Sequence, residues 1–153
     1  MTELDSFERK ILRELQRDAG QTTAEIAEKV GLTPSPCWRR IDRLEREGFI
    51  RKRVALIDRR KLGLNAHVLA QVKLNAHGRA NLDEFSEAIR ACPEVLEAYV
   101  LMGQMDFMLR IVAKDIDAYE RFFFDRLSKL PGVQEINSTV ALSEIKSTTE
   151  LPL

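Results

Sequence analysis

The chain has 153 residues, of which 44% are apolar, and its 24 Lys+Arg balance 24 Asp+Glu. That is material for one ordinary domain or two small ones with a real core, and a net charge of zero argues against a uniformly basic protein that coats DNA. The longest run without a charged side chain is the eleven residues 62–72, too short for a membrane-spanning helix.

A first helix is predicted from Asp5. Asp5-Ser6-Phe7-Glu8 has the form of a capping box, an acidic cap with Glu three residues later. Phe7, Ile11 and Leu15 follow at helical spacing, Leu12 widens that face, and the helix should stop near Gly20. A second box, Thr22-Thr23-Ala24-Glu25, opens a second helix with Ile26, Ala27 and Val30 on one face. Gly31 supplies a permissive backbone for a tight turn. A third helix has Thr33 as its N-cap and Pro34 at its first position, where a missing N–H costs least. Cys37, Ile41 and Leu44 form its buried stripe, and Gly48 ends it. Residues 49–57 then read as a strand.

Two short helices joined by a Gly-containing turn form a helix-turn-helix unit, whose second helix lies in the major groove of DNA. The charge distribution agrees. Residues 1–63 carry fifteen Lys/Arg and eleven Asp/Glu, net +4, while residues 64–153 carry nine and thirteen, net −4. Residues 39–61 alone carry ten basic and four acidic side chains, net +6. An isolated charge run would read as a solvated face; above this helical pattern it reads as a surface for double-stranded DNA. With Cys37, Ile41 and Leu44 inward, Ser35, Trp38, Arg39 and Arg43 fall on the outward face as candidate base readers. Arg40, Arg51 and Lys52 are the candidates for phosphate. Trp38 has two open roles, contact with a sugar or thymine methyl, and packing under the following strand.

The second part reads as strand-helix-strand-strand-helix-strand. Residues 66–75 form a strand, and Leu82, Phe85, Ile89 and Cys92 mark a helix face that Pro93 closes. Residues 95–102 and 107–113 are two strands joined by the hairpin turn Gly103-Gln104-Met105-Asp106. Ile116, Tyr119, Phe123, Leu127 and Leu130 mark a second helix, and residues 133–146 the last strand. Pro93-Glu94-Val95-Leu96-Glu97 echoes Pro131-Gly132-Val133-Gln134-Glu135, a weak internal repeat. The fold class is therefore α+β, an N-terminal three-helix helix-turn-helix domain and a C-terminal ferredoxin-like βαββαβ domain. The divisions are residues 1–49, a linking strand and hinge at 50–63, and residues 64–153. Alternation along residues 95–102 suggests apolar side chains on both sheet faces, hence a homodimer packed sheet against sheet. Phe122 and Phe124 flank the second helix stripe and suit either a higher oligomer or deeper packing.

Several strings resemble the Lrp/AsnC family of leucine-responsive, or feast/famine, transcription regulators. They are Leu32-Thr33-Pro34-Ser35-Pro36-Cys37 with Arg40, Arg43-Leu44-Glu45-Arg46-Glu47-Gly48-Phe49-Ile50, Gly103-Gln104-Met105-Asp106-Phe107, Leu130-Pro131-Gly132-Val133 and Glu144-Ile145-Lys146. The resemblance covers nearly the whole chain. It implies a DNA-binding domain followed by a ligand-sensing domain that also drives assembly, from dimers often to octamers. It also implies an amino acid effector held between dimers. The matching positions are Val100, Leu101, Met102, Gly103, Gln104 and Asp106 at the hairpin, with Ser138, Thr139, Val140 and Ala141 near the last strand. Backbone N–H groups around Gly103 suit a carboxylate, and Asp106 suits an α-ammonium. The same Gly103-to-Asp106 segment also reads as an ordinary hairpin turn. Trp38 departs from the smaller residue the family often has there, which leaves the target sequence open.

Other chemistry has little support. Cys37 and Cys92 lie on core stripes outside any C-x-x-C pattern, so neither a disulfide framework nor a redox sensor is expected. His67 and His77 lack metal-ligand spacing, the glycines form no phosphate-binding loop, and no catalytic constellation is visible. No metal, cofactor or enzymatic activity is expected. The acidic start Met1-Thr2-Glu3-Leu4-Asp5 lacks the apolar core of a secretory signal, and a cytoplasmic location without membrane attachment is the expectation. The rival reading is an architectural, nucleoid-like protein that wraps DNA with little sequence choice.

Overall fold

A computed structural model describes residues 3–80 and 82–153, so Met1 and Thr2 of the acidic start lie outside the described residues. The chain divides into two compact units, Met1–Leu56 with Lys146–Leu153, and Ile57–Ile145.

The first unit is a three-helix cluster. Helix α1 (Ser6–Arg17) starts from Asp5, α2 (Thr23–Val30) from Thr22, and both capping boxes form as predicted. Helix α3 (Pro34–Arg46) has Pro34 in its first turn. Thr33 takes the extended cap conformation, but its hydroxyl makes no cap bond. Ile11, Leu12 and Leu15 of α1 meet Ile26, Ala27 and Val30 of α2 and Cys37, Ile41 and Leu44 of α3 in one buried cluster. Burial of each larger side chain contributes roughly 1.5–3 kcal/mol.

One sequence expectation fails at the edge of this unit. Residues 49–57 form no strand. A strand needs a neighbour to take its backbone hydrogen bonds, and this unit holds no strand among its described residues. The last eight residues pack with the helices of this unit. The Leu151 amide donates to Gln16 Oε1 at 2.6 Å, the Gln16 side-chain amide donates to the Leu151 carbonyl at 3.2 Å, and Leu153 packs against the helical core.

The second unit is a four-stranded antiparallel sheet with helices. Its elements are β1 (Ala66–Leu74), α4 (Ala76–Ala80), α5 (Leu82–Arg90), β2 (Val95–Val100), β3 (Phe107–Ala113), α6 (Ile116–Asp125), a 3-10 turn (Leu127–Lys129) and β4 (Val133–Val140). The spatial order β2-β3-β1-β4 puts β1 and β3 at the centre, as the βαββαβ reading requires. Val68, Ala70, Val72 and Leu74 of β1 join Phe107, Leu109 and Ile111 of β3 in a core completed by Phe85, Ile89, Tyr119, Phe122 and Leu127. The α6 stripe is shifted from its predicted position. Phe122 is in the core, Phe123 is only half-buried, and Phe124 is exposed.

The sheet's outer face corrects the expectation of two apolar faces. A bulge between Val95 and Glu97 pairs Val95 with Ile111 but Glu97 with Arg110 and Tyr99 with Met108. Val95 therefore shares the core face, while Glu97 and Tyr99 turn outward with Arg110 and Met108. A salt bridge from Arg110 to Glu97 at 2.5 Å lies on that face, beside Leu69, Gln71 and Asn137. It is a mixed surface rather than an apolar one. The last strand also ends at Val140, not at residue 146, because β1 begins at Ala66 and offers no partner beyond the Ala141 amide on the His67 carbonyl.

Candidate nucleic-acid interface and effector site

The turn between α2 and α3 is closed by Gly31, at φ 76° and ψ 38°, and by the Leu32 amide on the Ala27 carbonyl at 2.8 Å. This left-handed cap lets α3 start three residues later, at Pro34, with its buried stripe on Cys37, Ile41 and Leu44. The stripe decides what faces out. Ser35 and Arg39 are exposed, and Trp38 keeps 58% of its surface. Trp38 therefore does not pack beneath another segment of its unit.

The arginines of α3 divide into two sets. Arg40 pairs with Asp5 at 3.1 Å and lies over the Phe7 ring. Arg43 pairs with the fully buried Glu8 at 2.7 Å and with Glu47 at 2.9 Å. Arg46 pairs with Asp42 at 3.0 Å, and Arg53 with Glu45 at 2.8 Å. Among the described residues, Arg39, Arg51 and Lys52 make no such pair and keep their charge free for an anion. So the structure brings Ser35, Trp38 and Arg39 together as an unengaged outward set. Arg43, expected among the base readers, and Arg40, expected on phosphate, are held by α1. Their acidic partners were visible in the sequence only as helix caps.

The hairpin between β2 and β3 is well anchored. The Leu101 amide donates to the Asp106 carbonyl at 2.8 Å, and the Asp106 amide to the Val72 carbonyl at 2.9 Å. The Asp106 carboxylate accepts the Leu74 amide at 2.7 Å, so one of its oxygens already serves the fold. Val100, Met102, Gly103 and Gln104 are exposed, and Leu101 is half-buried. On β4, the Ser138 hydroxyl shares a 2.5 Å hydrogen bond with the Tyr119 phenol. Thr139 and Val140 are exposed, and Ala141 is half-buried.

One chain does not bring the hairpin and the end of β4 together. Phe107, next to the hairpin, sits opposite Val72, whereas Val140 sits opposite Val68. Four residues of strand separate those rows, about 13 Å along the sheet. The two sets of candidate effector residues therefore lie apart in a single chain. Among the described residues, no group of three His, Cys, Asp or Glu could hold a metal ion. No described helix is long and apolar enough to cross a membrane.

Residues 4–51 match the model of a winged helix-turn-helix DNA-binding domain, and residues 67–151 the Lrp/AsnC ligand binding domain. The transcriptional regulator AzlB of Bacillus subtilis is 36% identical over 150 residues, which cover 98% of this chain and 96% of that protein. The crystal structure of an AsnC family transcriptional regulator from Agrobacterium tumefaciens has a TM-score of 0.92 at 42% identity, covering 97% of both chains. A transcriptional regulator from Neisseria meningitidis, solved as an L-Met complex, has a TM-score of 0.93 at 36% identity, covering 98% of this chain and 97% of that one. Fold and matches together define a two-domain transcription regulator, one domain for DNA and one for a ligand. The chain belongs to the Lrp/AsnC family.

Proposed function

We propose that this regulator binds specific DNA sequences as a cytoplasmic homodimer, assembling further to a form such as an octamer, under the control of an amino acid. The free outward set on α3 carries the DNA reading. Ser35, Trp38 and Arg39 meet base edges, while Arg51 and Lys52 take phosphate. Two copies present two such helices to an imperfect palindrome with half-site centres about one helical turn apart, or a multiple of it. Leu69 and Tyr99 on the outer sheet face supply apolar area for pairing two sheets, and the Glu97–Arg110 pair sets their register.

The effector is held by both sets of candidate residues once two copies meet. Val100, Leu101, Met102, Gly103, Gln104 and Asp106 come from one subunit, and Ser138, Thr139, Val140 and Ala141 from another. Their separation in a single chain favours a site that exists only in the assembly, so the effector couples to oligomeric state. The relative solved with L-Met favours an amino acid as the ligand class.

The test is binding of the full chain to duplex DNA from upstream of its own gene, across a salt series, with and without each common amino acid. Binding that resists excess random DNA, and that one amino acid shifts, is the expected result. Binding abolished by random DNA would instead support the architectural reading. Light scattering that shows a monomer at micromolar concentration would overturn the dimer.

A further inference from the structure

The capping box of α1 has a second task. Asp5 Oδ1 accepts the Glu8 amide at 2.8 Å, and Glu8 Oε2 accepts the Asp5 amide at 3.0 Å. Each carboxylate thus uses one oxygen for the box. Both remaining oxygens serve α3. Asp5 Oδ2 accepts from Arg40 at 3.1 Å, and Glu8 Oε1 accepts from Arg43 at 2.7 Å. Glu8 is 1% exposed, so this pairing satisfies a carboxylate that has no access to water. Glu47 holds Arg43 from the other side, and Phe7 lies under Arg40.

The buried stripe Cys37, Ile41 and Leu44 sets which face of α3 points outward, but only coarsely. Hydrophobic burial is non-directional and fixes how closely two helices pack more than how each is rotated. Charge-assisted hydrogen bonds are directional. A roll of about 20° moves a side-chain head about 6 Å from the axis by about 2 Å, enough to break a bidentate contact to a base. Arg40 and Arg43 lie one turn apart on the flank of α3, and two fixed points of that kind define its roll.

We propose that Asp5 and Glu8 are positioning residues for DNA recognition. Through Arg40 and Arg43 they set the rotation of α3 about its own axis, and so aim Ser35, Trp38 and Arg39 at the bases. Arg40 and Arg43 then act inside the protein rather than on the nucleic acid. The inference rests on the reading of α3 as the DNA-contacting helix.

The experiment uses the full chain. Duplexes are enriched from a random pool with the native protein. Affinity is then measured for the enriched duplex and for a scrambled one of equal length, across salt. Glu8→Gln keeps the shape and the acceptor for the Asp5 amide but removes the charge that holds Arg43. It should bind the enriched duplex about tenfold more weakly. Its affinity for the scrambled duplex and its salt slope should stay at native values, because no phosphate contact is lost. Asp5→Asn preserves a good N-cap and guards against a folding failure at Glu8. It should lose selectivity in the same direction, about threefold. Native selectivity in both variants overturns the proposal, as does an equal loss on both duplexes. A native chain that enriches no duplex, or an Arg39→Ala variant with native affinity, would instead remove the DNA reading itself.

Discussion

Gly78 and Gly132 meet backbone against backbone. A Cβ on Gly132 would lie 2.5 Å from the Gly78 Cα, and one on Gly78 would lie 2.8 Å from the Gly132 Cα. The Asn75 amide donates to the Gly132 carbonyl at 2.8 Å, and the Gly78 amide to the Asn75 side chain at the same distance. This crossing ties the end of β1 to the turn that launches β4. Gly132 also has φ +74°, a conformation that costs a side chain further strain. Gly132→Ala should therefore destabilise the protein by about 3 kcal/mol or more, combining strain with overpacking. Gly103→Ala, which meets open space, should change stability by less than about 1 kcal/mol. Urea midpoints at constant slope would measure both.

Much of this arrangement was legible in the sequence, but unevenly. Capping boxes, the Gly31 turn and the Cys37, Ile41, Leu44 stripe are local, and local rules found them. The strand order followed from the element order. What failed was decided by neighbours. Residues 49–57 have strand-like composition but no strand beside them. The bulge at Val95–Glu97 reversed the facing of Tyr99, which alternation alone could not reveal. The pairing of Arg40 and Arg43 with α1 spans 35 residues of sequence, and nothing in the recognition helix itself announces it. The commitments of Asp106 to the Leu74 amide and of Ser138 to Tyr119 are likewise tertiary.

His67 should make the protein sensitive to mild acid. It is 8% exposed, and neither ring nitrogen has a hydrogen-bond partner among the described residues. Burial holds its pKa below the ordinary 6.5, and the charges of Arg59 and Arg110 act in the same direction, against Glu144 and Glu97. The unfolded chain then binds a proton more readily than the folded one. The stabilising contribution of neutral His67 is complete above pH about 6.5 and is lost as pH falls toward the lowered folded value. Urea midpoints between pH 5 and 8 should fall at the acid end, and His67→Phe should flatten that fall. An equally steep profile in the variant would refute the assignment.

Both thiols should be inert in the folded protein. Cys37 is 0% and Cys92 2% exposed, and burial raises both thiol pKa values. A thiol-specific colorimetric reagent at neutral pH should label neither in buffer and both in denaturant. Rapid labelling of Cys37 without unfolding would show that α3 is less firmly packed than the buried stripe requires.

The contrast between free and engaged arginines on α3 gives the most direct test of the account. The measurement is competition binding to an enriched duplex in the presence of excess random DNA, comparing the native chain with Arg39→Ala and Arg46→Ala. Arg46 is paired with Asp42 and should matter little, with a change of less than about 0.5 kcal/mol. Arg39→Ala should weaken specific binding by about 1–3 kcal/mol while leaving random-DNA binding nearly intact, if it reads a base. Equal affinity of the native chain for enriched and random duplexes, or native selectivity in Arg39→Ala, would contradict the assignment of α3 as a sequence-reading helix.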